Sequence, residues 1–209
     1  MSRPSAIGHR AVRRGRAAPR RPFATLAALA IVALLVVIVA SGVDHAVNRF
    51  GLPLTDAQVI RQQASQKRLD PALVAAVIYA ESKFAPHPSS AGAEGLMQIL
   101  PQTAYFIAHL SGGTQFTASD LATPSINVAY GTYYLRYLLD HYAENEMLAV
   151  AAYNAGLANV DRWLAQAHAR GDTLTVTAIP FPETRAYVER VLSAQQDYRD
   201  VYARQLGLS

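Results

Sequence analysis

Glu81 stands where helical periodicity calls for an apolar side chain. Upstream of it Leu73, Val74, Val77 and Ile78 recur at helical spacing, and the next positions on that face, four after 77 and three after 78, coincide at residue 81. Burial against such neighbours disfavours the charged carboxylate, and a place in the last turn, near the negative end of the helix dipole, acts in the same direction. A free Glu near pKa 4.3 is protonated about one time in 500 at pH 7; a rise of roughly two units makes that about one in six, enough for a general acid. The same placement suits a structural carboxylate that pairs with an arginine or caps a neighbouring helix, and this helix alone does not separate the two.

Other residues offer less. Glu94 is the other carboxylate in the loop expected to face Glu81; a solvated loop charge is the simpler reading, whereas a separation of roughly 6.5 to 9.5 Å would suit a water-using acid–base pair. The six histidines, at 9, 45, 87, 109, 141 and 168, make no HExxH or other paired ligand spacing, so no metal site is expected. His87 reads as an exposed loop residue and Trp163 as packing. Gly92 and Gly95 suit close backbone approach to a ligand better than phosphate binding, since no P-loop lysine follows. Tyr130, Tyr133, Tyr134 and Tyr137 share one helical face; a stacking strip is conceivable, but core is the expectation for Tyr133, Tyr134 and Tyr137.

The elements that would position these residues are helices. Thr55-Asp56-Ala57-Gln58 has capping-box spacing and opens a helix to about Arg68. Asp70-Pro71 opens the next, to about Ser82, with Asp as N-cap and Pro at the first helical position. A Gly- and Pro-rich loop covers 85–95, and helical patterns follow at about 101–110, 124–142, 146–154, 157–168 and 183–205. Only Leu174 to Ile179, LTVTAI, alternates like a strand. The fold class is therefore all-α, with SGGTQFTAS at 111–119 as a possible mobile lip.

Composition adds a topology. The 209 residues are 51% hydrophobic and 16% charged and contain no cysteine, which excludes a disordered tail, a disulfide scaffold and a lipoprotein anchor. Seven arginines and no acid precede Phe23; the other 12 basic residues face 15 acids, so the chain's formal +4 belongs to the tail. Residues 23–43 carry no charge, and as a helix would span about 31 Å at roughly 1.5 Å per residue, the thickness of a hydrocarbon core. The arginines would hold the N-terminus in the cytoplasm, which places the C-terminal part on the outer side of the inner membrane. The run exceeds a secretory h-region, although Ala40-Ser41-Gly42 would suit cleavage. Topology already accounts for the arginines, so no nucleic acid is expected. The expected division is a basic tail (1–22), a transmembrane anchor (23–43), a linker and first helix (44–64) and a domain at 65–205.

Four motifs occur in order: YAES at 79–82, AGAEGLMQILP at 91–101, AVAAYNAG at 149–156 and IPFPETRAYVERV at 179–191. Together they resemble the catalytic domain of the soluble lytic transglycosylases, peptidoglycan-cleaving enzymes with a goose-type, lysozyme-like fold. ETRxYV points to the soluble-type branch. The resemblance implies that Glu81 is the single catalytic acid and then base, and that Tyr153 points at the catalytic carboxyl and the reacting sugar. It further implies that Ser89 lies near the glutamate, that Gly95, Leu96, Met97 and Gln98 line the glycan cleft, and that Asn154 follows in a largely structural place. Glu183 and Tyr187 would sit at the peptide-stem side. The implied reaction cleaves the β-1,4 bond between N-acetylmuramic acid and N-acetylglucosamine and leaves a 1,6-anhydro sugar. No cofactor or metal is expected, and the partners are glycan strands, the membrane and an unidentified envelope protein. Two alternatives stay open: a lysozyme-type muramidase, and a non-catalytic peptidoglycan-binding scaffold of the same fold.

Overall fold

The structure, a computed structural model, describes residues 51–113 and 115–208. The arginine tail and the expected span at 23–43 lie outside the described residues, among which no helix is long and apolar enough to cross a membrane. The described chain is helical: α1 (Ala57–Lys67), α2 (Pro71–Ser82), α3 (Pro101–Ser111), α4 (Pro124–His141), α5 (Glu146–Ala155), α6 (Leu157–Ala169) and α7 (Pro182–Leu206). Two 3-10 turns, Ala118–Ala122 and Val176–Ala178, join them.

Proline sets four of these starts. α2, α3, α4 and α7 each begin on Pro, whose fixed φ suits the first turn and whose missing N–H would have had no helical acceptor there. At α2 the Asp70 side chain also accepts the Ala72 N–H at 3.0 Å. The capping box expected at Thr55 does not form. Asp56 takes left-handed backbone (φ 53°) as the residue before α1, and Thr55 Oγ1 donates to the Asp56 carboxylate instead of capping the helix. The alternating LTVTAI segment is not a strand either: among the described residues no neighbouring strand is there to pair with it, and its apolar ends, Leu174 and Ile179, pin a 3-10 turn to the core.

α2 is the central helix. Ala72 to Ile78 are all buried, so the stripe read from sequence is one side of a helix enclosed all round. α7 makes the most extensive packing against it, with α1 alongside, and α5 completes the group through α4 and α7. The chain before α1 is strapped to the far end of α7: Tyr198 Oη donates to the Pro53 carbonyl and Tyr202 Oη to that of Leu52, each at 2.6 Å. α7 departs from helical geometry at Tyr202, which makes the second of these bonds. Trp163 is buried in α6 with its ring edge against Phe181, centroids 4.9 Å apart.

The tyrosine face of α4 is the rim of the core and not its interior, with Tyr130, Tyr134 and Tyr137 packed against the buried cluster. The buried face of that helix is Asn127, Val128, Gly131, Thr132, Leu135, Leu138 and Leu139, while Tyr130, Tyr133, Tyr134 and Tyr137 are half-buried along its edge. Small and branched residues fill the narrow interior against α1 and α5, and the larger rings border open space.

Candidate active site

The end of α2 is a sharp turn. Lys83 and Phe84, neither a glycine, both adopt left-handed backbone (φ 51° and 61°), an arrangement that costs about 1 kcal/mol or more per residue. Phe84 is held there by burial against Tyr198, with ring centroids 6.1 Å apart. Just before the turn, Ser82 Oγ donates to the Leu96 carbonyl at 2.8 Å and joins the helix end to the loop that follows.

That loop, Gly95 to Gln98, is closed at its base by Glu94 and Ile99, which exchange two backbone hydrogen bonds of 3.0 Å. Asn127 of α4 holds its tip. Its Oδ1 accepts the Met97 N–H (2.8 Å), and its Nδ2 donates to the carbonyls of Glu94 (2.8 Å) and Leu121 (3.0 Å). Gly95 is buried at φ +77°, and a Cβ on it would lie 2.1 Å from Asn127 Nδ2. The close approach expected of this glycine is thus to α4, not to a ligand. Leu96 and Met97 also depart from expectation: both side chains are in the core, Met97 against Gly131, where a Cβ would meet its sulfur at 2.3 Å. Any contact of this segment with a glycan therefore runs through its backbone or through Gln98. Gln98 is half-buried with φ 48°, and its Nε2 donates to the His87 and Gly95 carbonyls.

Glu81 receives a hydrogen bond from Tyr187 of α7, Oη to Oε1 at 2.6 Å. Burial pushes its carboxyl up to about 7, although the Tyr187 hydrogen bond and the nearby Arg190 charge both pull it down. About half of the molecules therefore carry the proton at neutral pH. With Oε1 engaged as an acceptor, Oε2 is the oxygen left to give and take a proton. The tyrosine on the carboxyl is Tyr187, not Tyr153 as the motif implied. Tyr153 Oη donates to the Met97 carbonyl at 2.9 Å. Burial and the charge of Glu81 keep the Tyr153 phenol neutral, and burial with the same charge does so for Tyr187.

Ser89 serves its own loop: its Oγ accepts the Ala93 N–H at 2.9 Å, and the two residues also pair through Ser89 N–H and the Ala93 carbonyl. Asn154 is exposed at the end of α5, where its Oδ1 accepts from Thr184 Oγ1 at 2.8 Å and ties α5 to α7. Glu183 is exposed in the first turn of α7, one helical turn before Tyr187. Glu94 contributes its backbone to the bridge. A groove of about 370 Å³ passes over this framework, lined by Gln98, Gln102, Tyr134, Tyr153, Asn154 and Gly156. Among the described residues no cluster of His, Asp or Glu could hold a metal ion.

Sequence reasoning missed Asn127, Gly131 and Arg190. Asn127 had a signal: a polar residue one turn before Gly131 and two before Leu135, on what proves the buried face of α4. Arg190 lies one turn after Tyr187 and had none of its own.

A model of the Transglycosylase SLT domain matches residues 58–176. The chain belongs to this family. The soluble lytic murein transglycosylase of Escherichia coli K12 is 35% identical over 159 residues, which are 75% of this chain and 24% of that protein. The membrane-bound lytic murein transglycosylase C of Glaesserella parasuis is 32% identical over 185 residues, 78% of this chain and 49% of the relative. The crystal structure of the 70 kDa soluble lytic transglycosylase of E. coli superposes with a TM-score of 0.68 at 31% identity, over 75% of this chain and 26% of that one. This SLT-family chain thus spans about a quarter of the length of its soluble relatives and about half that of the membrane-bound one, and its helices have the lytic-transglycosylase, lysozyme-like arrangement.

Proposed function

We propose that this SLT-family protein is a peptidoglycan lytic transglycosylase that breaks the β-1,4 bond between N-acetylmuramic acid and N-acetylglucosamine. The observation that carries the proposal is Glu81: a half-buried carboxyl held by one tyrosine and pushed up to about 7, whose charge is felt by Tyr153, a residue that lines the groove. Protonated Glu81 gives its proton to the glycosidic oxygen as the C1–O bond breaks. The 2-acetamido oxygen of the muramic acid residue closes on C1 and shares the positive charge. Glu81, now a carboxylate, takes the proton of the same sugar's 6-hydroxyl, and O6 displaces the acetamido group from C1. The proton lost in the first half returns in the second, and no water is consumed. An intramolecular attacker has a high effective molarity, which removes the need for a second carboxylate.

Of the other residues, Tyr187 orients the carboxyl, and Tyr153, held by the Met97 carbonyl, borders the reacting sugar. Gln98 and Asn154 offer amides to the glycan, the backbone of Gly95, Leu96 and Met97 shapes the wall, and Ser89 keeps the adjoining loop in place. Glu183 faces the peptide stem. We further propose that residues 23–43 anchor the protein in the inner membrane behind the cytoplasmic tail 1–22, with the catalytic unit on the periplasmic side. The 65–205 domain then includes α1 as well, since the family match begins at residue 58 and α1 buries Ile60 and Ala64 in the shared core.

Digestion of sacculi by the full chain in detergent, followed by mass spectrometry, tests the reading. Anhydromuropeptides are expected from the wild type and none from Glu81→Gln. Reducing-end products would establish a muramidase, and no sugar product would leave the scaffold reading.

A further inference from the structure

A groove of different chemistry lies between α2 and α7. Its volume is about 550 Å³, and it shares no lining residue with the groove over Tyr153. Leu52 and Ala194, both buried, line it with apolar surface, while Lys83, Arg190 and Ser193 supply donors. Lys83 and Arg190 are exposed, and among the described residues no ion pair engages either of them. The acid in the lining, Asp197, is two helical turns from Arg190, about 10 Å along α7. Two cations and a hydroxyl beside apolar surface suit a compact oxyanion: the guanidinium and the ammonium donate to its oxygens, and the apolar side keeps water from one face of the contact.

The groove also adjoins the acid. Glu81 lies in the chain between Ala80 and Lys83, both of which line it. Arg190 follows Tyr187 by one turn of α7, so one helix bonds the carboxyl through the first side chain and lines the groove with the second. Among the described residues, the charged and titratable groups that act on Glu81 are Arg190 and the neutral Tyr187 phenol from α7 and the neutral Tyr153 phenol from α5. Arg190 is therefore the one cation in that set, and it is shared with the groove. We propose that this groove binds a carboxylate or phosphate anion between Lys83 and Arg190, and that the bound anion helps Glu81 to keep its proton. Such an anion offsets the Arg190 charge that favours the Glu81 carboxylate and adds a negative charge of its own. A filled groove thus loads the acid for the first half of the reaction. The inference rests on the reading above for what the proton does, and on the groove alone for the site.

Binding to the full chain in detergent, followed by NMR, tests this without turnover. The probes are N-acetyl-dialanine, whose carboxylate stays ionised between pH 5 and 8, and inorganic phosphate, with the C-terminal amide of the dipeptide as the uncharged control. The acid form is expected to bind and the amide not to. Phosphate that binds as tightly as the dipeptide identifies a free oxyanion as the occupant, and phosphate that binds more weakly identifies a carboxylate-bearing chain. Lys83→Ala and Arg190→Gln should each weaken binding about tenfold. Coupling between two sites is reciprocal, so Glu81→Gln, uncharged at every pH, should bind the dipeptide more tightly than wild type at pH 8 and equally at pH 5. The proposal is overturned if neither anion binds, if the amide binds as well as the acid, or if sodium chloride at equal ionic strength produces the same shifts. It is also overturned if Glu81→Gln and wild type bind alike at both pH values. Failure of the transglycosylase reading looks different: it appears in the wild-type products of sacculus digestion and leaves these binding results intact.

Discussion

α2 carries a carboxylate at each end, and the two have opposite lives. Asp70, at the N-terminus, accepts from the Ala72 N–H, from Gln195 Nε2 at 2.8 Å and from Arg199, whose Nη2 approaches Oδ2 to 2.7 Å. It also sits at the positive end of the helix dipole. Glu81, at the C-terminus, has one neutral donor, a guanidinium that acts across space, and apolar walls. The same functional group on the same helix is thus a structural anion at one end and a proton carrier at the other. Asp70 is surrounded by donors that cap α2 and tie its start to α7. Glu81 is kept short of donors, and burial then leaves its proton undecided near pH 7.

The largest effect should come from removing the undecided proton. Glu81→Gln is expected to lower the rate of anhydromuropeptide release by about a thousandfold or more, as for a lost general acid that also serves as base. Its stability should move the other way. Between about pH 4.5 and 7 the folded protein holds a proton at Glu81 that the unfolded chain releases, so this group lowers stability as pH rises through that window. Glu81→Gln should therefore unfold at higher denaturant concentration than wild type at pH 8, by up to about 3 kcal/mol, with the difference vanishing below pH 4.5. A variant that is less stable than wild type at pH 8 would place Glu81 with Asp70 as a structural group. Asp70→Ala should show the complementary pattern. Losing the cap and the Arg199 pair is expected to cost about 2 kcal/mol in chemical unfolding and to leave the alkaline limb of the pH–rate profile in place. A shifted limb would mean that the two ends of α2 are coupled.

The Asp70 end was legible in the sequence, and the Glu81 end only in part. Asp-Pro before an apolar run states a cap, because both residues act within one turn of themselves. A carboxylate on an apolar stripe states an anomaly, but its partner Tyr187 is 106 residues away, and no local spacing announces that pairing. The resemblance put Tyr153 at the acid and Tyr187 at the peptide-stem side, whereas Tyr187 is the one that bonds the carboxyl. The Gly95–Gln98 loop misled for a similar reason: a glycine with positive φ signals close approach, but only the fold shows that what approaches is Asn127. On α4 the regular spacing of the tyrosines suggested burial of Tyr133, Tyr134 and Tyr137, whereas the face one step round, built on Gly131 and Asn127, is the one that receives the loop. Helix periodicity locates a face; which face is inside depends on neighbours that are distant in sequence.

The hydrogen bond from Tyr187 sharpens the contrast in the smallest step. Tyr187→Phe removes the single donor on Glu81 and fills the same space, so the carboxyl keeps its burial and loses its strongest stabilisation as an anion. Its pKa should then rise above about 7, and the alkaline limb of kcat should move to higher pH, while kcat at its new optimum falls about tenfold because Oε1 is no longer held. KM for sacculi should change little, which distinguishes orientation of the acid from contact with the glycan. Arg190→Gln should shift the limb in the same direction by less and leave kcat at the optimum near wild type, since its charge acts on Glu81 without touching it. If neither variant moves the limb, Glu81 does not set it, and the proton that breaks the glycosidic bond comes from another group.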